Sequence, residues 1–562
     1  MRLGFLLLTV AIALAAVPVA HAQQATLVLL NGKIWTENPA QPEAQAVAID
    51  DETILAVGDN AAIKALAGSK TVVVDLAGRR VTPGFNDAHV HLFMGGDGAA
   101  SVQLGDANSP DELRRRVAGF AKTQPRGAWL RNGLWDHQRW TPATLPTHQL
   151  IDDVTPDNPA FLWRTDGHMA LANALAMKLA GIDRNTPDPA GGQIVRDAGG
   201  NPTGMFKDAA TALIEKVMPA LTDAEMDAAM TAAMAEAARH GVTSVQTMVN
   251  TNGDPNGPVY LREFEKFDRA GRLTLRIYSA ENLQAWKTLA GAGVTAPFGD
   301  ARLRVGGLKA FADGALGSMT AWMDEPFVGA PGNTGLASET LQHPEAMYAD
   351  MKGADQAGLQ LITHAIGTRA NHAILDFYER LASENGPADR RPRIEHAQHL
   401  RPADIPRFGK LGVIASMQPY HAIDDGRWAE GAIGPERSKT SYAWRSLLDA
   451  GAVLAFGSDW PVAPLDPIVG IYAAVTRETL DGRNPGGWVP EQKITVVQAV
   501  HAYTMGSAYA EFQDKVKGSI EPGKLADLSV LSDDIFAIPP EQIAKVKVDM
   551  TIFDGRVVYE RK

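Results

Sequence analysis

Between residues 81 and 459 the chain alternates short apolar strand-like runs with segments rich in Ala, Leu and Glu, the pattern of parallel strands joined by crossover helices. The runs are 81–91, 160–164, 241–248, 303–311, 359–364, 391–396, 412–418 and 452–459. Eight such units favour an α/β fold closed as a (β/α)8 TIM-type barrel over an open sheet. The interval from 92 to about 240 is too long for two ordinary crossovers and carries four of the 11 tryptophans, Trp129, Trp135, Trp140 and Trp163. It reads as inserted substrate-side structure at about 95–235; the alternative is that these indoles fill the insert's own core.

Both ends have a different texture. The runs TLVLLNGKIWT, AVAIDDETILAVGD and TVVVDLAGRRVTPG are β-branched and separated by Gly, Asp and Pro at hairpin-like spacing, and strand signals return in GSIEPGKLADLSVLSDD and KVDMTIFDGRVVYE. The expected organisation is therefore a small composite β-sandwich domain from residues 23–84 and 512–562, with the barrel at 85–511.

Residues 1–22 run from Arg2 through an apolar stretch to Ala20-His21-Ala22, the small-x-small pattern of a signal peptidase site. A mature start near Gln23 and a periplasmic or secreted location follow. An uncleaved anchor is the alternative, because about 18 apolar residues can just span a bilayer. With the signal removed, no stable membrane association is expected. A formal net charge of -12, with no basic cluster, argues against nucleic acid or an anionic membrane as partner. Homo-oligomerisation stays open. The chain has no cysteine, which removes disulfides, thiolate zinc sites and thiol nucleophiles together. Any metal must be held by His and carboxylates.

His89 and His91 stand two apart on a strand-like run, so period-two geometry turns both imidazoles to one side. Alone, such a pair is a weak signal. It gains weight because Lys309, His364, His396 and Asp459 lie at the ends of four further runs, the fourth, fifth, sixth and eighth. In a (β/α)8 enzyme the active site is built from the C-terminal ends of the strands. The alternative for His364 and His396 is a pair of hydrogen-bonded core histidines.

At these positions the chain resembles the amidohydrolase superfamily, whose metal sites use HxH on the first strand, Lys on the fourth, His on the fifth and sixth and Asp on the eighth. TPGFNDAHVHL, DGHMALANALA, KAFADGALGS, SMQPYHAIDD and LAFGSDWPVAPLDP are similar to one branch, amidohydrolase family 3, which includes N-substituted formamide deformylase. The likeness runs from about Thr26 to Tyr559. Met319 departs from it, standing where the family more often has Arg; that change bears on substrate contacts rather than on the metal residues.

The resemblance implies a site for one or two divalent ions, zinc foremost, formed by His89, His91, Lys309, His364, His396 and Asp459. Neutral imidazoles and a carboxylate suit such an ion, which brings the pKa of a bound water towards ~7. Asp459 is placed to take that water's proton and pass it to the leaving group. Lys309 sits inside an apolar run, where an ammonium is costly to bury unless it is paired, neutralised or modified. Addition of carbon dioxide would make it a carbamate able to bridge two metals, as in related binuclear enzymes; an unmodified Lys309 paired with Asp313 beside one metal is the alternative. Asp166 and His168, and His421 with Asp424, follow the second and seventh runs. His168 or His421 would hydrogen-bond the substrate carbonyl, with loop architecture as the other reading.

The expected function is metal-dependent hydrolysis of the C–N bond of a small-molecule, amide-like substrate of the N-substituted formamide or N-acyl type. The insert's tryptophans, with Trp322 and Trp460, point to an apolar or aromatic substituent. The same scaffold can cleave esters or carbamates or deaminate rings. A non-catalytic binding protein is the remaining alternative, and the retained Asp459 and HxH pair stand against it.

Overall fold

Eight parallel strands form one sheet: β1 (Phe85–Val90), β2 (Val242–Met248), β3 (Arg276–Asn282), β4 (Leu303–Phe311), β5 (Gln360–Ala365), β6 (Arg393–His396), β7 (Ile414–Met417) and β8 (Leu454–Phe456). Each pairs in parallel with its neighbour in chain order. The chain just after β8 closes the ring on β1: Asp459 N–H donates to His89 O and His91 N–H to Trp460 O, each at 2.7 Å. This approach is close enough that a Cβ at Gly457 would lie 2.5 Å from His89 N, so the closure selects glycine there. The computed structural model describes residues 24–99, 101–249 and 257–562, so the signal-peptide reading of residues 1–22 and the start at Gln23 lie outside the described residues.

Two of the expected strands are corrected. The run at 160–164 is not a barrel strand; Ala160–Arg164 pairs with Leu130–Trp135 and Met169–Ala172 in a separate sheet. The missing barrel strand is β3, whose sequence RIYSAEN hides it because Arg276 and Tyr278 are satisfied by partners remote in sequence. Arg276, for example, binds Asp527 and Asp554. The run at 81–91 is two strands: Arg80–Pro83 joins another sheet, and Gly84 separates it from β1.

The long connection from β1 to β2 contains a five-stranded sheet with its own apolar clusters. Trp135 and Trp140 are buried in one cluster and Trp129 packs on the other, so these indoles fill the insert rather than a substrate cavity. The chain re-enters the barrel through helix Asp223–Arg239. A reciprocal Thr222/Glu225 cap starts this helix, and Met226, Ala229, Met230, Ala233 and Ala237 form its buried stripe.

N- and C-terminal segments build two packed sheets. One is four-stranded and wholly N-terminal; the other is six-stranded and pairs Arg80–Pro83 with Leu528–Leu531. Leu27, Val47 and Ile54 meet Val530 and Ile552 in a shared core, which is the sandwich arrangement. Among the described residues no helix is long and apolar enough to cross a membrane.

Candidate active site

β1 carries His89, β4 Lys309, β5 His364 and β6 His396, while His91 immediately follows β1 and Asp459 comes after Gly457 and Ser458 past the end of β8. Their side chains converge because parallel barrel strands end on the same face. His396 and Asp459 have φ of 71° and 63°, a left-handed region that costs a non-glycine residue of the order of 1–3 kcal/mol. Local strain of this kind is kept only where the surrounding structure holds it.

His89, His396 and Asp459 form a buried group in which one donor atom from each lies within 4.8 Å of the others. Asp459 Oδ1 is 3.2 Å from His91 Nε2 and 3.4 Å from His89 Nε2. Lys309 Nζ is 3.5 Å from His89 Nε2. The His364 and His396 rings lie 4.5 Å apart between centroids, but His364 Nε2 faces Gly314 O at 3.2 Å and Asp313 Oδ1 at 3.5 Å. The three-residue group is therefore the tight centre, with His91, Lys309 and His364 around it.

The donor set fits a divalent cation. Burial, reinforced by the Lys309 charge, pushes the His89 imidazole down to about 4. Burial and then His364 push that of His396 well below the ordinary histidine range. Both rings are neutral at pH 7. The Nδ1–H of His89 is directed at Glu395 and that of His396 at Gln418 Oε1, at 2.8 Å for the latter, which leaves the Nε2 lone pairs for the centre. Burial opposes ionisation of Asp459, but the surrounding imidazoles hold its carboxyl well below the usual range. Its Oδ1 and His421 Nε2 are buried without a hydrogen-bond partner among the described residues. Such orphan polar atoms are rare without a function.

The pairing of Lys309 with Asp313 is not found. Asp313 instead accepts backbone N–H bonds from Ile366, Gly367 and Trp322 at 2.7–2.9 Å. Among the described residues no carboxylate makes a salt bridge to Lys309, and burial pushes its amine down to about 8.

His168 reaches the centre by a route the sequence did not indicate. It stands just before Met169–Ala172 in the insert sheet, not after a barrel strand, yet its ring lies 5.1 Å from that of His364. Its Nδ1–H donates to Asp208 Oδ1 at 2.8 Å; burial works against the charge, but Asp208 prevails and the imidazole pKa is raised. His421, on helix Pro419–Asp425, has Nε2 3.9 Å from Asp459 Oδ2. A small polar recess of about 60 Å³ beside it is lined by Arg164, Asp166, Asp424 and Asp425. Arg164 bridges Asp136 and Asp166 there at 2.7 and 2.6 Å.

Sequence reasoning missed Asp208 and Gln418 and gave Glu395 no supporting role. The only available signals were position: Glu395 precedes His396, and Gln418 lies at the end of the seventh run. Trp163 lines a cavity of about 380 Å³ that includes Asp459, whereas Trp322, Trp460 and Met319 line none of the cavities beside the centre. The Trp460 indole packs over Gly95, and Met319 packs against the barrel core.

A family profile described as the amidohydrolase family matches residues 72–559. The protein LONG AFTER FAR-RED 3 of Arabidopsis thaliana is 38% identical over 518 residues, covering 90% of this chain and 87% of that protein. N-substituted formamide deformylase of Arthrobacter pascens is 28% identical over 557 residues, covering 96% and 99%. An uncharacterised metal-dependent hydrolase from Pyrococcus horikoshii has a solved structure that matches at a TM-score of 0.74 and 27% identity, over 92% of this chain and 99% of that one.

Proposed function

Because the chain belongs to the amidohydrolase family, we propose that it hydrolyses the C–N bond of an amide-like small molecule, of the N-substituted formamide or N-acyl type. The observation that carries this reading is the Asp459 carboxylate, ionised and buried, with Oδ1 3.2 Å from His91 Nε2 and 3.4 Å from His89 Nε2. A divalent ion, zinc foremost, held by His89, His91, His396 and Asp459 with His364 and Lys309 adjacent, would supply Lewis acidity and an acidified water.

Asp459 takes a proton from water and returns it to the departing nitrogen. Overall, one water is consumed: a C–O bond replaces the C–N bond, and the products are a carboxylic acid and an amine. His168, whose pKa burial lowers but Asp208 raises on balance, and His421 are the donors that steady the carbonyl oxygen as it gains negative charge. Lys309 is proposed to be a carbamate: its neutral amine adds carbon dioxide and loses one proton. Support comes from its burial without a carboxylate partner. The signal-like residues 1–22 support a periplasmic or secreted setting.

A screen of N-formyl, N-acyl amino acid, carbamate and aryl ester compounds on metal-loaded protein tests the proposal. Turnover of the amides over the esters supports it. Turnover confined to esters, or none at all, defeats it.

A further inference from the structure

Two large cavities meet at His168, Lys309 and Phe311, and the first of them opens on the centre itself. The first, of about 380 Å³, is walled by Phe93, Trp163, Tyr260 and Phe264 and includes Asp459. Phe93 stacks on Tyr260 and Phe264 with centroids 4.6 and 5.2 Å apart. The second, of about 750 Å³, lies between the insert and the loops after β3 and β4. Ala209, Ala212, Leu213, Leu336 and Met347 give it apolar walls beside Asp208, Asn282 and Asp313, and exposed Lys216, Glu339 and His343 stand at its edge. The two share His168, Lys309 and Phe311 as walls, so a single residue's width parts them. Asp459 lines the first cavity and not the second.

That asymmetry orients a substrate. If Asp459 gives the proton to the leaving nitrogen, the amine side of the scissile bond lies in the aromatic cavity. The substituent on the carbonyl carbon then points away from Asp459, past Lys309 and Phe311. We infer that the second cavity is an acyl-chain site, taking an aliphatic acyl group from an amide whose aromatic amine part fills the first. A formamide carries only hydrogen on its carbonyl carbon and would leave this cavity unused, so the inference departs from the substrate in the name of the Arthrobacter relative. It rests on the amide-hydrolase reading above.

The experiment compares N-formylbenzylamine with N-hexanoylbenzylamine on the metal-loaded full chain. The hexanoyl compound should have the higher kcat/KM, by about ten-fold or more, since each methylene buried in an apolar pocket contributes discrimination of that order. Ala212→Trp and Leu336→Trp, which fill the second cavity from opposite sides, should each lower the hexanoyl-to-formyl ratio by about ten-fold. In the unaltered protein, hexanoate and benzylamine should inhibit together, each leaving room for the other. A ratio below one with the formyl compound still hydrolysed, a ratio unmoved by both substitutions, or mutual exclusion of the two products overturns the acyl-chain site while leaving the amide reading standing. Failure to hydrolyse either compound overturns both.

Discussion

The Nδ1–H of His89 donates to Oε2 of Glu395 across the barrel at 2.5 Å, with both side chains fully buried. Burial alone would raise the Glu395 pKa, but Arg393 and the His89 hydrogen bond hold it at about 2, and Ser416 donates a further hydrogen bond at 2.7 Å. Glu395 is thus a fixed anion that sets the His89 tautomer and has no freedom to serve as a base. Glu395→Gln should weaken divalent-metal affinity by about 10- to 100-fold, read by titrating the metal-free protein with zinc. Unchanged affinity would show that the His89 orientation is set elsewhere.

Asp459→Asn should lose turnover by about a hundred- to ten-thousand-fold, the usual weight of a positioned proton carrier. The variant should retain at least one metal, because His89, His91 and His396 remain. Elemental analysis and steady-state kinetics on one preparation check both halves, and near-normal turnover would assign the proton to another group, with His421 the nearest alternative.

If Lys309 is the proposed carbamate, Lys309→Ala should hold one metal fewer and lose most activity, because the anion that offsets the metal charge is gone. Acetate should partly restore both by occupying the vacated bridge. Metal counts for the parent protein and the variant, with and without acetate, decide the matter. A parent holding one ion at saturation would defeat the carbamate.

His240 ties two elements together away from the centre, facing Glu236 and the helix-capping Asp466 at 3.2 Å each. Burial lowers its pKa, but the two carboxylates outweigh that and raise it to about 9. A pKa raised on folding stabilises fully below the unfolded value of about 6.5 and loses that contribution as pH rises through the folded value. His240→Gln should therefore destabilise by up to about 3 kcal/mol at pH 6, with the gap from the parent narrowing as pH rises from about 6.5 and nearly closed at pH 9. Urea unfolding at both pH values measures it, and a gap independent of pH would remove the charge from the explanation.

Strand period and turn residues are local properties, and they made the barrel, the terminal sheets and the convergence of β1, β4, β5, β6 and β8 readable from the sequence. The residues of the centre could be named because a barrel maps strand ends onto one face whatever the loops do. The amphipathic rule failed at β3 because the Arg276 charge is paired with Asp527 and Asp554, more than 240 positions away. It failed at Ala160–Arg164 because a strand in the insert has the same apolar texture as one in the barrel. Only the tertiary structure decided which groups set the histidine tautomers, that Asp313 is spent on backbone amides, and that His168 arrives from the insert held by Asp208. These are contacts between segments brought together by closure of the fold, and their geometry depends on packing that no window of neighbouring residues contains.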